Sequence, residues 1–154
     1  MWGVIAGTGF EDSPSVVAVN DLDRNTPFGE ASSGLKVVRV GDHKAVFLPR
    51  HGSQHELLPS EINFCANIYA LKKAGVTQII SVSAVGSLQA VLAPGDLVIP
   101  NQYIDRTKGV RRHTFTGGGL VAHVSLAEPT SPILRSLIEK ILPSIKCKAH
   151  VGGT

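Results

Sequence analysis

Residues 47–55 read Phe47-Leu48-Pro49-Arg50-His51-Gly52-Ser53-Gln54-His55, an apolar run followed by a short basic loop. A fixed cation beside two titratable rings and an open backbone suits a small polyanion. Phosphate is the first candidate, because a planar guanidinium can fork onto two phosphate oxygens through charge-assisted hydrogen bonds. A solvated basic loop after a strand is the alternative, and this run by itself leaves the two open.

Apolar segments run into small or polar residues at two further points. Residues 2–6 are followed by Gly7-Thr8-Gly9, and residues 78–82 are followed by Ser83-Ala84-Val85-Gly86-Ser87. Each pattern is typical of a buried strand that ends in a tight turn. The first turn suits either a backbone nest for an anion, with the Thr8 hydroxyl as an added donor, or a plain glycine turn.

The remaining periodic segments predict an α/β domain. A hairpin is indicated at Gly41-Asp42-His43, and Ser60 and Ser131 are candidate N-caps. Because ligands of such sheets bind outside the strand ends, the three loops described above would enclose one site if they share an edge. Further strands are predicted at residues 16–19, 35–40, 44–48, 97–99, 102–104 and 146–151. Helices are predicted at residues 60–74, with Ile62, Ala66 and Tyr69 on one face, and at residues 131–142.

Composition limits the classes of function. The chain has 154 residues, of which 43% are hydrophobic and 18% charged, so it can bury a core and corresponds to one domain or part of one. The net charge of +3 permits anionic substrates. It does not indicate nucleic-acid binding, since the basic residues form no stripe with aromatics. Two cysteines are too few for a disulfide framework, which favours a reducing cytosol as the location. No apolar run has the length of a membrane span.

Two other sites are considered and set aside. His51 and His55 are four residues apart, as in some helical metal sites, but Gly52 and Ser53 are poor helix formers and no third ligand is evident, so no metal is predicted. A dinucleotide fingerprint is disfavoured because Asp12 occupies the third glycine position. The flanking Glu56 and Glu61 are interpreted as salt-bridge or capping residues.

In combination, the segments resemble the nucleoside phosphorylase family, in its methylthioadenosine phosphorylase branch. The resemblance extends in order over nearly the whole chain, and this ordered combination is far more specific than any one piece. The matching runs are Ile5-Ala6-Gly7-Thr8-Gly9-Phe10, Thr26-Pro27-Phe28-Gly29, Arg50-His51-Gly52 with His55, residues 59–71, Ser83-Ala84-Val85-Gly86-Ser87-Leu88, Pro94-Gly95-Asp96-Leu97-Val98, Asp105-Arg106-Thr107, His123, and Ala127-Glu128-Pro129.

The resemblance implies a mixed central β-sheet flanked by helices and a phosphorolytic activity. Bound phosphate would attack the anomeric carbon of a purine nucleoside and release the free base and a ribose 1-phosphate. The first candidate for the nucleoside is 5′-methylthioadenosine. This pentosyl transfer needs no cofactor, and inorganic phosphate is the co-substrate. The residues implied to surround phosphate are Thr8, Arg50, His51, Ser83 and Ala84. Those implied to approach the nucleoside are His55, Ala84, Val85, Gly86 and His123.

The family also implies an assembly and a location. His123 matches a residue that reaches a neighbouring subunit's site, which implies a homotrimer or a hexamer built from trimers. Purine salvage in the cytoplasm is expected, without a nucleic-acid or membrane partner. The family continues beyond Gly152-Gly153-Thr154, so residues 1–154 are expected to form the N-terminal portion of a single, C-terminally truncated phosphorylase domain. The alternative function is a catalytically inactive fragment that serves as an assembly or interaction module.

Overall fold

A computed structural model describes residues 1–7, 9–10, 13–107, 109 and 111–154. Contacts divide the chain into two compact units. The first comprises Met1–Ala84 with Lys108–Phe115, and the second comprises Val85–Thr107 with Thr116–Thr154. Within the described ranges, no helix combines the length and the apolar character that crossing a membrane requires.

The first unit contains a five-stranded sheet and a separate small hairpin. The strands of the sheet are β1 (Trp2–Ala6), β2 (Val16–Leu22), β5 (Leu35–Val40), β6 (His43–Pro49) and β7 (Gln78–Ser81), and those of the hairpin are β3 (Asn25–Thr26) and β4 (Gly29–Glu30). The order in the sheet is β2-β5-β6-β1-β7. Parallel pairing joins β1 to both β6 and β7, whereas β5 pairs antiparallel with β2 and β6. The mixed sheet predicted from the family resemblance is therefore confirmed.

The parallel register places three strand ends side by side. Ala6 pairs with Pro49 of β6, and Ile5 pairs with Ser81 of β7. The chain therefore leaves the sheet at the same edge after β1, β6 and β7, which confirms that the three loops share an edge. The hairpin between β5 and β6 is also confirmed, whereas β2 continues to Leu22, beyond the predicted end at residue 19.

Helix α1 (Phe64–Lys73) begins later than predicted. Asn63, not Ser60, is the N-cap, and its side-chain oxygen accepts the Ala66 N–H at 3.0 Å. Residues 59–61 form a turn instead, at which the Glu61 carboxylate accepts the Leu58 N–H at 2.8 Å. Gly75 follows the C-cap with φ +79°, the left-handed conformation that favours glycine at this position.

Buried apolar side chains form a cluster on each face of the sheet. On one face, Ala70 and Leu71 of α1 pack with Leu35, Val46 and Leu48. The other face carries a cluster of Ala6, Val38, Ala45 and Phe47, with Val4, Phe10 and Val16 packed against it. The predicted apolar face is partly right: Ile62 and Ala66 are buried and Tyr69 is half-buried. Asn67, Ala70 and Leu71 are buried as well, which the prediction did not include.

A buried polar contact joins α1 to the segment before β5. The Asn67 side-chain oxygen accepts the Ser32 N–H at 2.8 Å, and its Nδ2 donates to the Ser32 hydroxyl at 2.9 Å. Both residues are almost completely buried, so neither has water as a substitute partner. This pair fixes α1 against the chain that leads into β5.

The second unit has a smaller framework. Strands β8 (Leu97–Ile99) and β9 (Ala149–Val151) pair in parallel, and helix α2 (Pro132–Ile141) begins at the predicted Ser131 cap and is followed by a 3₁₀ turn, Leu142–Ser144. The strand predicted at residues 102–104 does not form, and β9 is shorter than predicted.

The Asp96 carboxylate accepts a hydrogen bond from His150 at 2.8 Å, which lowers the pKa of that carboxyl. Of the residues described in this unit, Ile99 is the one buried hydrophobic side chain.

We predict that Asn67→Ala destabilises the first unit by about 1–3 kcal/mol, because it leaves the Ser32 N–H and hydroxyl buried without a partner. Urea unfolding would measure the change. Asn20→Ala, at an exposed position of β2, is the matched control and should lie within about 0.5 kcal/mol of the parent. Equal losses in the two variants would show that the Asn67 contact contributes nothing specific.

A second prediction concerns Asp23, after the end of β2. Its carboxylate accepts the Asn25 N–H at 3.0 Å and pairs with Lys73 Nζ at 3.1 Å, so that the pKa falls from 3.8 to about 2, chiefly through the Asn25 bond. A lowered folded-state pKa stabilises the fold above the unfolded value, and this contribution is lost as the pH falls toward about 2. Asp23→Ala should therefore lower the unfolding midpoint at neutral pH, with a deficit that shrinks below about pH 4. A deficit that is the same at pH 7 and pH 2 would contradict this.

Candidate functional site

Arg50 links the three strand ends. Its backbone N–H donates to the Ala6 carbonyl at 3.1 Å, which extends the pairing between β6 and β1 by one residue. Its Nη1 donates to the Val82 carbonyl at 2.8 Å, directly after β7. The guanidinium is thus held across the end of β1, and its position depends on all three strands.

Gly7 lies against this guanidinium. A Cβ built on Gly7 would stand 3.4 Å from Arg50 Nη2 and 3.7 Å from Cζ. The glycine backbone therefore forms one wall beside the cation. A larger side chain at this position would project into the space next to the guanidinium, where an anion would approach.

His51 has one ring nitrogen committed to the backbone. Its Nδ1 lies 3.0 Å from the Leu57 carbonyl, and the Leu57 N–H donates to the His51 carbonyl at 2.9 Å. Because a carbonyl oxygen only accepts, Nδ1 carries the proton in this contact. Nε2 is then the ring nitrogen that can meet a ligand.

His55 stacks on His51. The ring centroids are 4.6 Å apart and the planes are inclined by 28°. His55 has φ +58°, the one positive value among the described non-glycine residues. Backbone strain of this kind persists where the surrounding structure fixes it, and it is concentrated at functional sites.

A shallow depression lies at this edge of the sheet. It combines backbone at the end of β1 with two imidazoles and a serine from the loop after β6. The imidazoles and the serine hydroxyl are hydrogen-bonding groups that a small polar anion can use. The residues that line it are Ala6, Gly7, Pro49, His51, Gly52, Ser53 and His55.

The other predicted site residues fall in different parts of the chain, and one of them is not described by the structure. Thr8 lies outside the described residues. Ser83 and Ala84 are exposed and directly follow Val82, whose carbonyl accepts the bond from Arg50. Val85, Gly86 and His123 belong to the second unit, where each is exposed. The roles expected for all of these residues remain predictions.

Two participants in the site are not evident from residue types. The Val82 carbonyl is a backbone atom, and only the strand order shows that it meets Arg50. Glu56 was interpreted as a salt-bridge or capping residue, and its carboxylate caps the loop by accepting the Gln54 N–H at 2.8 Å.

Metal binding was also considered for this loop. Across the described ranges, no group of three or more His, Cys, Asp or Glu side chains is placed to hold a metal ion.

Comparison with known proteins identifies the family. The family model described as the phosphorylase superfamily matches residues 2–154. The chain belongs to the phosphorylase superfamily. Within it, the chain is 44% identical over 152 residues to the S-methyl-5′-thioadenosine phosphorylase of Geobacter sulfurreducens and 43% identical to that of Thermofilum pendens, in each case over 99% of this chain.

Solved structures of the superfamily agree with this assignment. The chain is similar to a methylthioadenosine phosphorylase from an Antarctic soil metagenomic library, with a TM-score of 0.91 and 40% identity, and to the Schistosoma mansoni methylthioadenosine phosphorylase in complex with adenine, with 0.87 and 38%. It covers 54% and 62% of those two chains. It likewise spans 53% of the Geobacter protein and 58% of the Thermofilum protein, about half the length of the curated relatives it matches.

Gly52 provides a test of how this phosphorylase loop is packed. It has φ +86°, and an added Cβ would collide with the Glu56 carboxylate. We predict that Gly52→Ala destabilises the fold by about 1–3 kcal/mol through backbone strain and this collision.

Gly41→Ala is the matched control for that substitution. Gly41 also has a positive φ, +58°, but a Cβ there would meet nothing within 4 Å. Urea unfolding should therefore show a larger loss for Gly52→Ala than for Gly41→Ala. If the two losses are equal, the contact between Gly52 and Glu56 is not tight in solution.

Proposed function

We propose that this chain carries the phosphate-binding part of a purine nucleoside phosphorylase that acts on 5′-methylthioadenosine. The observation that carries the proposal is the Arg50 guanidinium, held across three parallel strand ends at the start of the loop that also carries two stacked imidazoles. Its support from comparison is the 40–44% identity to proteins named methylthioadenosine phosphorylases over 99% of the chain.

Arg50 and His51 would bind and orient inorganic phosphate. Arg50 Nη1 is committed to the Val82 carbonyl, so the other guanidinium N–H groups are the ones that would face an oxyanion. The fixed guanidinium needs no rearrangement when the anion arrives, because its position is set by the sheet. Such preorganised charge is an effective source of rate acceleration. Thr8, Ser83 and Ala84 would complete the phosphate shell.

The reaction would displace the base from the sugar. A phosphate oxygen forms a bond to the anomeric carbon while the bond from that carbon to the purine nitrogen breaks, and the base leaves with the electron pair and is protonated. The products are the free purine and 5-methylthioribose 1-phosphate. Holding phosphate in line with the breaking bond is the main task of the site, since positioning supplies much of the barrier reduction in such a step.

The remaining predicted residues would serve the nucleoside and the assembly. His55, Ala84, Val85 and Gly86 are the residues that we assign to the sugar and base side. His123 would act in a neighbouring subunit's site, within a homotrimer or a hexamer of trimers. A cytoplasmic role in purine salvage accords with the two free thiols, Cys65 and Cys147.

The test is phosphate-dependent release of adenine from 5′-methylthioadenosine by the purified chain. Arg50→Ala should lower kcat/KM by about 100-fold or more, because it removes the permanent cation from the anion site. Arg39→Ala, at an exposed position of β5 away from this edge, is the matched control and should retain the parent rate.

Two results would contradict the proposal. One is full activity in Arg50→Ala, and the other is release of adenine that does not depend on phosphate. A chain that binds phosphate but releases no adenine, alone or with a full-length relative, would favour the alternative of an inactive assembly or interaction module.

A further inference from the structure

Glu56 occupies the centre of the loop that presents the two histidines. The two ends of this loop are tied by the paired bonds between His51 and Leu57. Between them, the Glu56 carboxylate accepts the Gln54 N–H at 2.8 Å and lies against Gly52, so closely that no Cβ fits there. The carboxylate thus fills the concave side of the turn and holds two of its backbone units.

The same turn determines where the imidazoles lie. Gly52 has φ +86° and His55 has φ +58°, and the His55 N–H donates to the Gly52 carbonyl at 3.4 Å. This conformation brings the His55 ring onto His51 at 4.6 Å. A non-glycine residue in the left-handed region costs free energy. The contacts of Glu56 with Gln54 and Gly52 help to hold the turn in which this residue lies.

From this geometry we infer that Glu56 is a positioning residue for phosphate binding, acting through the backbone of Gly52 and Gln54 on the rings of His51 and His55. The inference rests on the proposed function, because it takes inorganic phosphate as the ligand of this edge. Glu56 itself carries the same sign of charge as the ligand. Glu56 would therefore support phosphate binding through the hydrogen bond that it accepts and the volume that it fills. Its negative charge would repel the anion.

The hydrogen bond and the negative charge of Glu56 predict opposite changes in phosphate affinity, so substitutions at this position distinguish them. If the hydrogen bond dominates, Glu56→Ala weakens phosphate binding, because the turn relaxes and the rings separate. If the charge dominates, Glu56→Ala and Glu56→Gln both strengthen it, because a negative charge is removed near the anion. Glu56→Gln keeps a side-chain oxygen that can accept the Gln54 N–H and loses only the charge.

The measurement is a titration with inorganic phosphate, followed by NMR through the ring signals of His51, together with hydrogen exchange of the Gln54 amide. We expect a dissociation constant about tenfold or more higher in Glu56→Ala and unchanged or lower in Glu56→Gln, since small displacements at a preorganised site have effects of this size or larger. The Gln54 amide should exchange faster in Glu56→Ala alone.

Glu61→Ala is the matched control, because the Glu61 carboxylate also accepts a backbone N–H, from Leu58 at 2.8 Å, outside the turn. It should bind phosphate like the parent. The inference is overturned if Glu56→Ala binds phosphate as tightly as the parent or more tightly, or if Glu56→Gln loses as much as Glu56→Ala. A parent chain that binds phosphate without releasing adenine would favour the inactive module over the proposed function and leave the Glu56 comparison intact, whereas a parent that binds no phosphate would refute both.

Discussion

β1 lies between β6 and β7 and pairs in parallel with both, and the arrangement of the site depends on that pairing. Parallel neighbours end at the same edge, so residues far apart in sequence leave the sheet together. The hydrogen bonds of Arg50 to Ala6 and Val82 are a direct result. An antiparallel partner on either side of β1 would send one of these loops to the opposite edge, and the guanidinium would lose one of its two anchors.

The packing of α1 keeps this edge in place. Its Ala70 and Leu71 cover the sheet face that carries Val46 and Leu48, and the part of β6 that leads into Arg50, residues 45–49, is buried. Apolar contact alone would allow the helix to slide along the sheet. The buried bonds between Asn67 and Ser32 specify one position, since a shifted helix would leave polar groups buried without partners. In addition, the buried Ser33 Oγ lies 3.4 Å from the Pro49 carbonyl oxygen, next to Arg50.

The sequence was informative where residue type and local periodicity decide the structure. The β-branched runs around Gly41 predicted the hairpin, Gly75 predicted the end of α1, and Ser131 with Pro132 predicted the start of α2. The predicted start of α1 was wrong because Ser60 and Asn63 are both good N-cap residues. The hydrogen bond that fixes Asn63, from its Nδ2 to the Phe28 carbonyl at 2.7 Å, joins residues 35 apart in sequence. At the site, Arg50 and the histidines were found from their chemistry. The acceptor for Arg50 was not, because the Val82 carbonyl has no side-chain signature and becomes visible only with the strand order.

The tautomer of His51 shows how backbone contacts of this kind decide chemistry. Because Nδ1–H is used on the Leu57 carbonyl, a neutral ring presents a lone pair at Nε2, whereas a protonated ring presents a donor. A phosphate monoanion or dianion still carries at least one P–OH, so it can donate to the neutral ring or accept from the charged one. Arg50 beside it offers donors in every state. The edge therefore combines one permanent donor with one that adapts to the proton count of the ligand. That pairing matches inorganic phosphate better than a fully ionised anion such as sulfate, which has no proton to give.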